Sequence, residues 1–202
     1  MLLMLLTEYD DFRPLVLDAA KNANEADGFV NDLIMRGVGR RLPILQARWR
    51  LATATADYGF DWSREKVDLS VKDALWDGRE VELNFAADRG WQSTDIRFSP
   101  GMRVKLSATG RCSVNQEPRP WISEPAGVTI EYANDRPLGQ LGYCLLPNKT
   151  DESKHLRPLE IHSVEERSEF VAKEYCWLLF RVNDHLGDLG DNRGSYSVTV
   201  TR

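Results

Sequence analysis

The apolar positions divide the chain into two stretches with different periods. Between about residues 8 and 57 they recur at helical spacing. Leu15, Val16, Ala19, Ala20 and Ala23 share one stripe, which Asp27-Gly28 ends. Phe29, Val30, Leu33 and Ile34 form a second stripe, broken by Gly37 and Gly39. Pro43 suits the first turn of a further helix carrying Ile44, Ala47, Trp49 and Leu51, which frays through Ala52–Ala56 toward Asp57-Tyr58-Gly59. The pattern predicts two or three helices packed as a cap, a helical N-terminal region over residues 1–77.

From residue 78 onward the period falls to two, the mark of half-buried strands. Val81, Leu83 and Phe85 alternate with Glu82 and Asn84, and Ile96 and Phe98 straddle Arg97. Val104, Leu106 and Ala108 alternate with Lys105 and Ser107, and Val128, Ile130 and Tyr132 with Thr129 and Glu131. Trp177–Val182 reads as a strand buried on both faces, and Tyr196, Val198 and Val200 close the series. Short strands separated by Gly, Pro, Asn and Asp turns, with no helices between them, predict a mainly β domain over residues 78–202. Its expected architecture is a β-sandwich or jelly roll. The charged stretch 149–168 reads as a loop or an edge.

Composition narrows the function. A chain of 202 residues buries one good core or two small ones. A net charge of −5 argues against a nucleic-acid partner, which needs a basic face. No apolar run approaches the roughly 20 residues of a membrane span. The apolar Met1–Leu6 lacks a basic start and a small-residue cleavage site, so it does not read as a leader. Both extracytoplasmic and cytoplasmic locations stay open. Cys112, Cys144 and Cys176 form no CxxC pair and sit among strand-like neighbours, which favours buried thiols.

Catalytic signatures are missing: there is no GxSxG, HExxH, GxxxxGK[ST] or GxGxxG. His155 and His162 have no ligand-like spacing, and Glu165, Glu166 and Glu169 read as a solvated face. Asn22–Gly28 hints at an EF-hand, but its Gly is out of register. The expectation is a binding protein rather than an enzyme.

The richest chemistry lies between the last two strands. Within residues 184–192 stand Asp184, Asp188, Asp191 and Asn192, punctuated by Gly187 and Gly190, with Gly194 just beyond. Glycine lets the backbone curl and turn oxygens inward. A dense oxygen set suits a hard ion such as calcium, which takes about six to eight oxygens. Mg²⁺ would want a stricter octahedron, and zinc would want nitrogen or sulfur, for which His185 alone is present. The same residue types also build an ordinary solvated hairpin loop. Like charges so close repel one another unless something neutralises them.

Phe180, Asn183, Asp184, Gly187, Gly190, Asp191, Asn192, Gly194, Ser195, Tyr196, Ser197 and Val198 follow a known order without a gap. The stretch resembles the calcium loop of the LecA (PA-IL) family of galactose-binding bacterial lectins, which fold as β-sandwiches. Looser likenesses run in the same order through Trp91–Ala108, Trp121-Pro125-Gly127 and Leu138–Leu141, so the resemblance spans about residues 78–202. It implies calcium held by side-chain oxygens of Asp184, Asp191 and Asn192, with backbone carbonyls at Asp188 and near Val114. It also implies a sugar at that ion, contacted by Asp184, His185, Asp188 and Asp191, with carbohydrate or glycoconjugate as partner. Family members are often tetramers, which makes a homo-oligomer an expectation here.

Trp121, after Arg119-Pro120, reads as a loop residue able to stack on a sugar, whereas Trp91 reads as a core anchor. One departure stands out. The family's sugar-contacting His and Gln have no counterpart, because Gly127 runs directly into Val128–Tyr132. The alternative expectation is therefore a calcium-stapled structural or interaction module without a sugar.

Overall fold

A computed structural model describes residues 7–22, 36–55, 59–70, 72–148, 159–164, 168–185 and 187–202. Ala23 with its Asp27-Gly28 stop, the second helical stripe, the EF-hand-like segment beyond Asn22, His155 and Glu165-Glu166 lie outside them. Among the described residues no helix is long and apolar enough to cross a membrane.

Among the described residues the α-helices are α1 (Arg13–Lys21), α2 (Leu42–Thr55) and the short α3 (Trp62–Glu65). Pro14 opens α1 and Pro43 opens α2, where a missing N–H costs nothing. Asp61 caps α3 by accepting from the Ser63 N–H at 2.8 Å.

Among the described residues twelve strands follow: β1 (Ala74–Leu75), β2 (Val81–Ala86), β3 (Gln92–Phe98), β4 (Arg103–Val114), β5 (Trp121–Ser123), β6 (Val128–Ala133), β7 (Arg136–Leu138), β8 (Leu141–Pro147), β9 (Ile161–Ser163), β10 (Ser168–Val171), β11 (Cys176–Val182) and β12 (Arg193–Thr201). One sheet runs β1-β3-β11-β8-β9, the second runs β10-β4-β12-β2 with β5 beside β4, and β6 and β7 pair as a separate hairpin. The protein is a two-sheet β-sandwich, as its alternating strands lead one to expect. The charged stretch around residue 160 supplies β9 at a sheet edge.

The inner faces of the two sheets close on one core. Phe85 of β2, Leu106 of β4 and Val198 of β12 meet Phe98 of β3, Leu141 of β8 and Phe180 of β11. The Phe85 and Phe180 rings lie 4.5 Å apart across it. Each such side chain contributes about 1.5–3 kcal/mol by leaving water.

The first sheet is covered on its outer face as well. Trp91, Cys144, Leu146, Trp177 and Leu179 pack there against Ile44, Ala47 and Leu51 of α2. A third cluster, built on Tyr9, Phe12, Val38 and Ala52, seats α1 on α2. Double coverage explains why β11 is buried at every position. Its alternation survives as a choice of core, with Leu178, Phe180 and Val182 turned inward and Trp177 and Leu179 outward.

Candidate functional site

The acidic loop joins β11 to β12, two strands in different sheets. Asn183 and Asp184 leave β11 directly, Leu189–Asp191 makes one 3-10 turn, and Asn192 enters β12 extended. Asp184 is 3% exposed and Asn192 fully buried. The Asp184 carboxylate accepts from the His185 N–H at 2.7 Å through Oδ1 and from Asn192 Nδ2 at 2.7 Å through Oδ2. Asn192 Nδ2 also donates to the Ala87 carbonyl at 3.1 Å. These bonds clasp the two ends of the loop to each other and to the end of β2.

The clasp fixes the amide's orientation. A carboxylate and a carbonyl both accept only, so the Asn192 nitrogen must face them and its oxygen must face away. Asn192 Oδ1 is buried with no hydrogen-bond partner, and so is Asp191 Oδ1. Each such orphaned acceptor costs about 1–3 kcal/mol. Burial pushes the Asp184 carboxyl above its ordinary range; the Asn192 and His185 bonds oppose this, and the nearby Asp188 and Asp191 charges add to it. The loop therefore concentrates negative charge and unsatisfied oxygen in a desolvated place, and a hard cation would relieve both.

Asp188 is exposed, and among the described residues no three His, Cys, Asp or Glu side chains converge as a metal cluster. Asp184 and Asn192 meet through the amide nitrogen, and the Asp191 carboxylate is close enough for its charge to act on Asp184. The β4–β12 ladder ends at Ser113 opposite Arg193, so one further step sets the Val114 backbone across from Asn192. Trp121 faces Val114 on the other side, at the start of β5. It is half-buried and packs against the sandwich core, a strand position rather than the loop its neighbours suggested. His185 is exposed at the rim.

Two guanidinium groups approach the loop from outside. Arg193 Nη1 donates to the Gly190 carbonyl at 2.9 Å, and Arg64 of α3, paired with Asp88 at 3.1 Å, lies against Gly190. Neither forms an ion pair with Asp184, Asp188 or Asp191.

No known protein family matches this chain, and no curated protein matches it. Among solved structures it is similar to a PllA-like lectin, the EclA N-terminal domain, at 17% identity and a TM-score of 0.44, over 60% of this chain and 94% of that one. It is also similar to a de novo designed double-stranded β-helix, at 13% identity and a TM-score of 0.24, over 61% of this chain and 96% of that one. A third is PliG of Aeromonas hydrophila, a periplasmic inhibitor of g-type lysozyme, at 8% identity and a TM-score of 0.29, over 61% of this chain and 83% of that one.

Asn183 is the residue whose part the sequence does not reveal. Its Nδ2 donates to the carbonyls of Ala133, Arg136 and Pro137 at 2.8–3.0 Å, and its own carbonyl accepts from the Gly139 N–H at 2.7 Å. It thereby staples the β6–β7 hairpin beside Asp184. The hairpin turns through Asn134 and Asp135, both at positive φ, as a tight two-residue turn requires. Asn134 Nδ2 then reaches the Asp184 carbonyl at 3.3 Å.

Proposed function

We propose that the β11–β12 loop binds calcium and that the ion offers its open side to carbohydrate, making the protein a non-enzymatic, galactose-type carbohydrate-binding module. The observation that carries this reading is the pair of buried acceptors without donors, Asp191 Oδ1 and Asn192 Oδ1, next to the buried Asp184 carboxylate. Side-chain oxygens of Asp184, Asp191 and Asn192 would hold the ion, with carbonyls of Asp188 and Val114 completing its protein shell. The ion would supply a hard Lewis-acidic centre able to take two vicinal hydroxyls in place of water. His185 and Asp188, exposed at the rim, and Trp121, half-buried beside Val114, are the neighbours that would select the sugar. The order of residues shared with the LecA family's loop supports the same reading.

A second reading is favoured by the clasp itself. Asp184, Asn192 and Ala87 already bond the strand ends together, so an ion there would act as a staple without any sugar. Ile122, Ile130 and Tyr132, 57%, 76% and 56% exposed, would then suit a protein contact.

Calorimetric titration of calcium into chelator-stripped protein, followed by galactose and a small sugar panel, separates the two. Calcium binding with a sugar response supports the lectin. Calcium binding without one favours the staple. No calcium binding overturns both and leaves an ordinary turn.

A further inference from the structure

A cleft of about 230 Å³ lies on the outer face of the first sheet, between the C-terminal end of α2 and the β6–β7 hairpin. Its wall is built from Thr55 of α2, Trp91, Asn134, Arg136, Gln140 and Arg181. None of these is a proposed calcium ligand. Pockets for drug-sized ligands run to about 300–1,000 Å³, so this one suits something the size of a monosaccharide.

The wall carries hydrogen-bonding capacity that the described residues do not use. Trp91 is 2% exposed, yet its indole Nε1–H has no hydrogen-bond partner. That nitrogen is itself sealed from the cleft, so what the ring gives the wall is apolar surface. Arg136 donates through Nη2 to the Ile161 carbonyl at 2.8 Å and pairs with no carboxylate among the described residues. The Gln140 side chain makes no hydrogen bond among them either, so it offers both a donor and an acceptor. Arg181 is a different case, because Glu65 already meets its charge. The wall therefore holds an amide and a guanidinium uncompensated among the described residues, set against apolar surface from Trp91, Ala54 and Ile161.

We propose that this cleft is a second ligand site, taking a small polyhydroxylated carboxylate of the hexuronic-acid class, and taking it without calcium. The planar Arg136 fork matches a carboxylate through two parallel bonds. Hydroxyls both donate and accept, which suits the Gln140 amide, and the C–H face of a sugar ring packs on the apolar wall that includes the Trp91 ring. A phosphate would bring a second negative charge for which the described residues of the cleft offer no second free cation.

The test uses the whole chain in excess chelator, titrated with galacturonate, with galactose as the same ring lacking the carboxylate, and with inorganic phosphate. Binding is read by calorimetry and by the assigned Trp91 indole ¹H–¹⁵N resonance. Galacturonate is expected to shift that resonance and to bind at least ten-fold more tightly than galactose or phosphate. Arg136→Gln should remove the preference over galactose. Gln140→Ala, which breaks no side-chain hydrogen bond among the described residues, should weaken galacturonate several-fold with Tm unchanged. A silent Trp91 resonance, equal affinity for galactose, or insensitivity to both substitutions would overturn the proposal. Galacturonate binding only with calcium present would overturn it too, while leaving the calcium loop standing. Binding in chelator by a protein that never takes up calcium would uphold this site and remove the other.

Discussion

Glu65, at the end of α3, and Arg181, near the end of β11, form an ion pair sealed between the helices and the sandwich. Arg181 Nη1 donates to Glu65 Oε2 at 3.2 Å, and Nη2 stands 3.0 Å from Oε1, an attraction between charges whose angle is too poor for a hydrogen bond. The side chains are 2% and 6% exposed. Gly90 makes the approach feasible, since a Cβ there would lie 2.1 Å from Glu65 Oε2. The contact ties α3 to the sheet face that also forms one wall of the Trp91 cleft.

Burial of such a pair costs more than the attraction returns unless the geometry is excellent. Glu65 follows that rule: desolvation raises its carboxyl above the ordinary range, and Arg181 opposes the rise without cancelling it. Removing Arg181 alone leaves a bare buried carboxylate. Arg181→Met is therefore expected to cost about 3–5 kcal/mol near neutral pH, with Glu65→Leu added on top recovering most of the loss. Urea unfolding of the two variants checks this. A double variant as unstable as the single one would mean that the pair adds net stability.

The same pair sets a pH dependence. A carboxyl whose folded pKa is raised binds its proton more tightly in the folded state. Its contribution to stability is thus greatest below the ordinary carboxylate value and falls as pH climbs to the raised one. Without Arg181 the folded pKa rises further and the window widens. The penalty of Arg181→Met should shrink on moving from about pH 7 to about pH 4.5, as Glu65 takes up its proton. A penalty that is constant with pH would show that lost packing, not uncompensated charge, is the cause.

None of this long-range pairing is visible in the sequence, because residues 65 and 181 belong to different regions and share no local pattern. What could be read was whatever period and turn chemistry encode. β2, β4 and β12 each pack one face on the core, so their alternation is clean. β8 carries no such signal, because Leu141–Leu146 is covered on both faces and shows no alternation. β11 is covered in the same way, and its long apolar run still marked it. In the loop, Asp184, Asp191 and Asn192 stood out by composition, but which oxygens are buried depends on Ala87, more than ninety residues earlier. The Trp91 cleft is assembled from α2, a hairpin and a sheet face, and it had no signal at all.

Burial dominates the chemistry of the cysteines. Cys112, Cys144 and Cys176 are free and buried, and burial pushes the Cys112 thiol up to about 11 and Cys176 to about 12, with Cys144 raised further. The thiolate is the reactive form, so native protein at about pH 8 should be nearly inert to maleimide and should gain all three adducts in denaturant. Mass spectrometry distinguishes the cases. One rapidly labelled native cysteine would mean that the packing around it opens.

Asp191 and Asn192 separate a structural role from a metal-binding one. The Asn192 side chain is fully buried, and its Nδ2 serves both the Asp184 carboxylate and the Ala87 carbonyl. Asn192→Ala should cost about 2–4 kcal/mol in chelator, since both acceptors lose a donor in a desolvated place. Asp191 gives no side-chain hydrogen bond to the fold, one of its oxygens is buried without a partner, and its charge works against Asp184. Asp191→Ala should leave stability in chelator unchanged or raise it by up to about 1–3 kcal/mol, because it removes an unpaired buried acceptor to which no described residue donates. Calcium is expected to raise the Tm of the unaltered protein and to leave Asp191→Ala unmoved, so that a substitution harmless to the fold is decisive for the ion. If Asp191→Ala retains the full calcium response, the ion sits elsewhere; if it is strongly destabilised in chelator, the carboxylate is holding the loop rather than waiting for a cation.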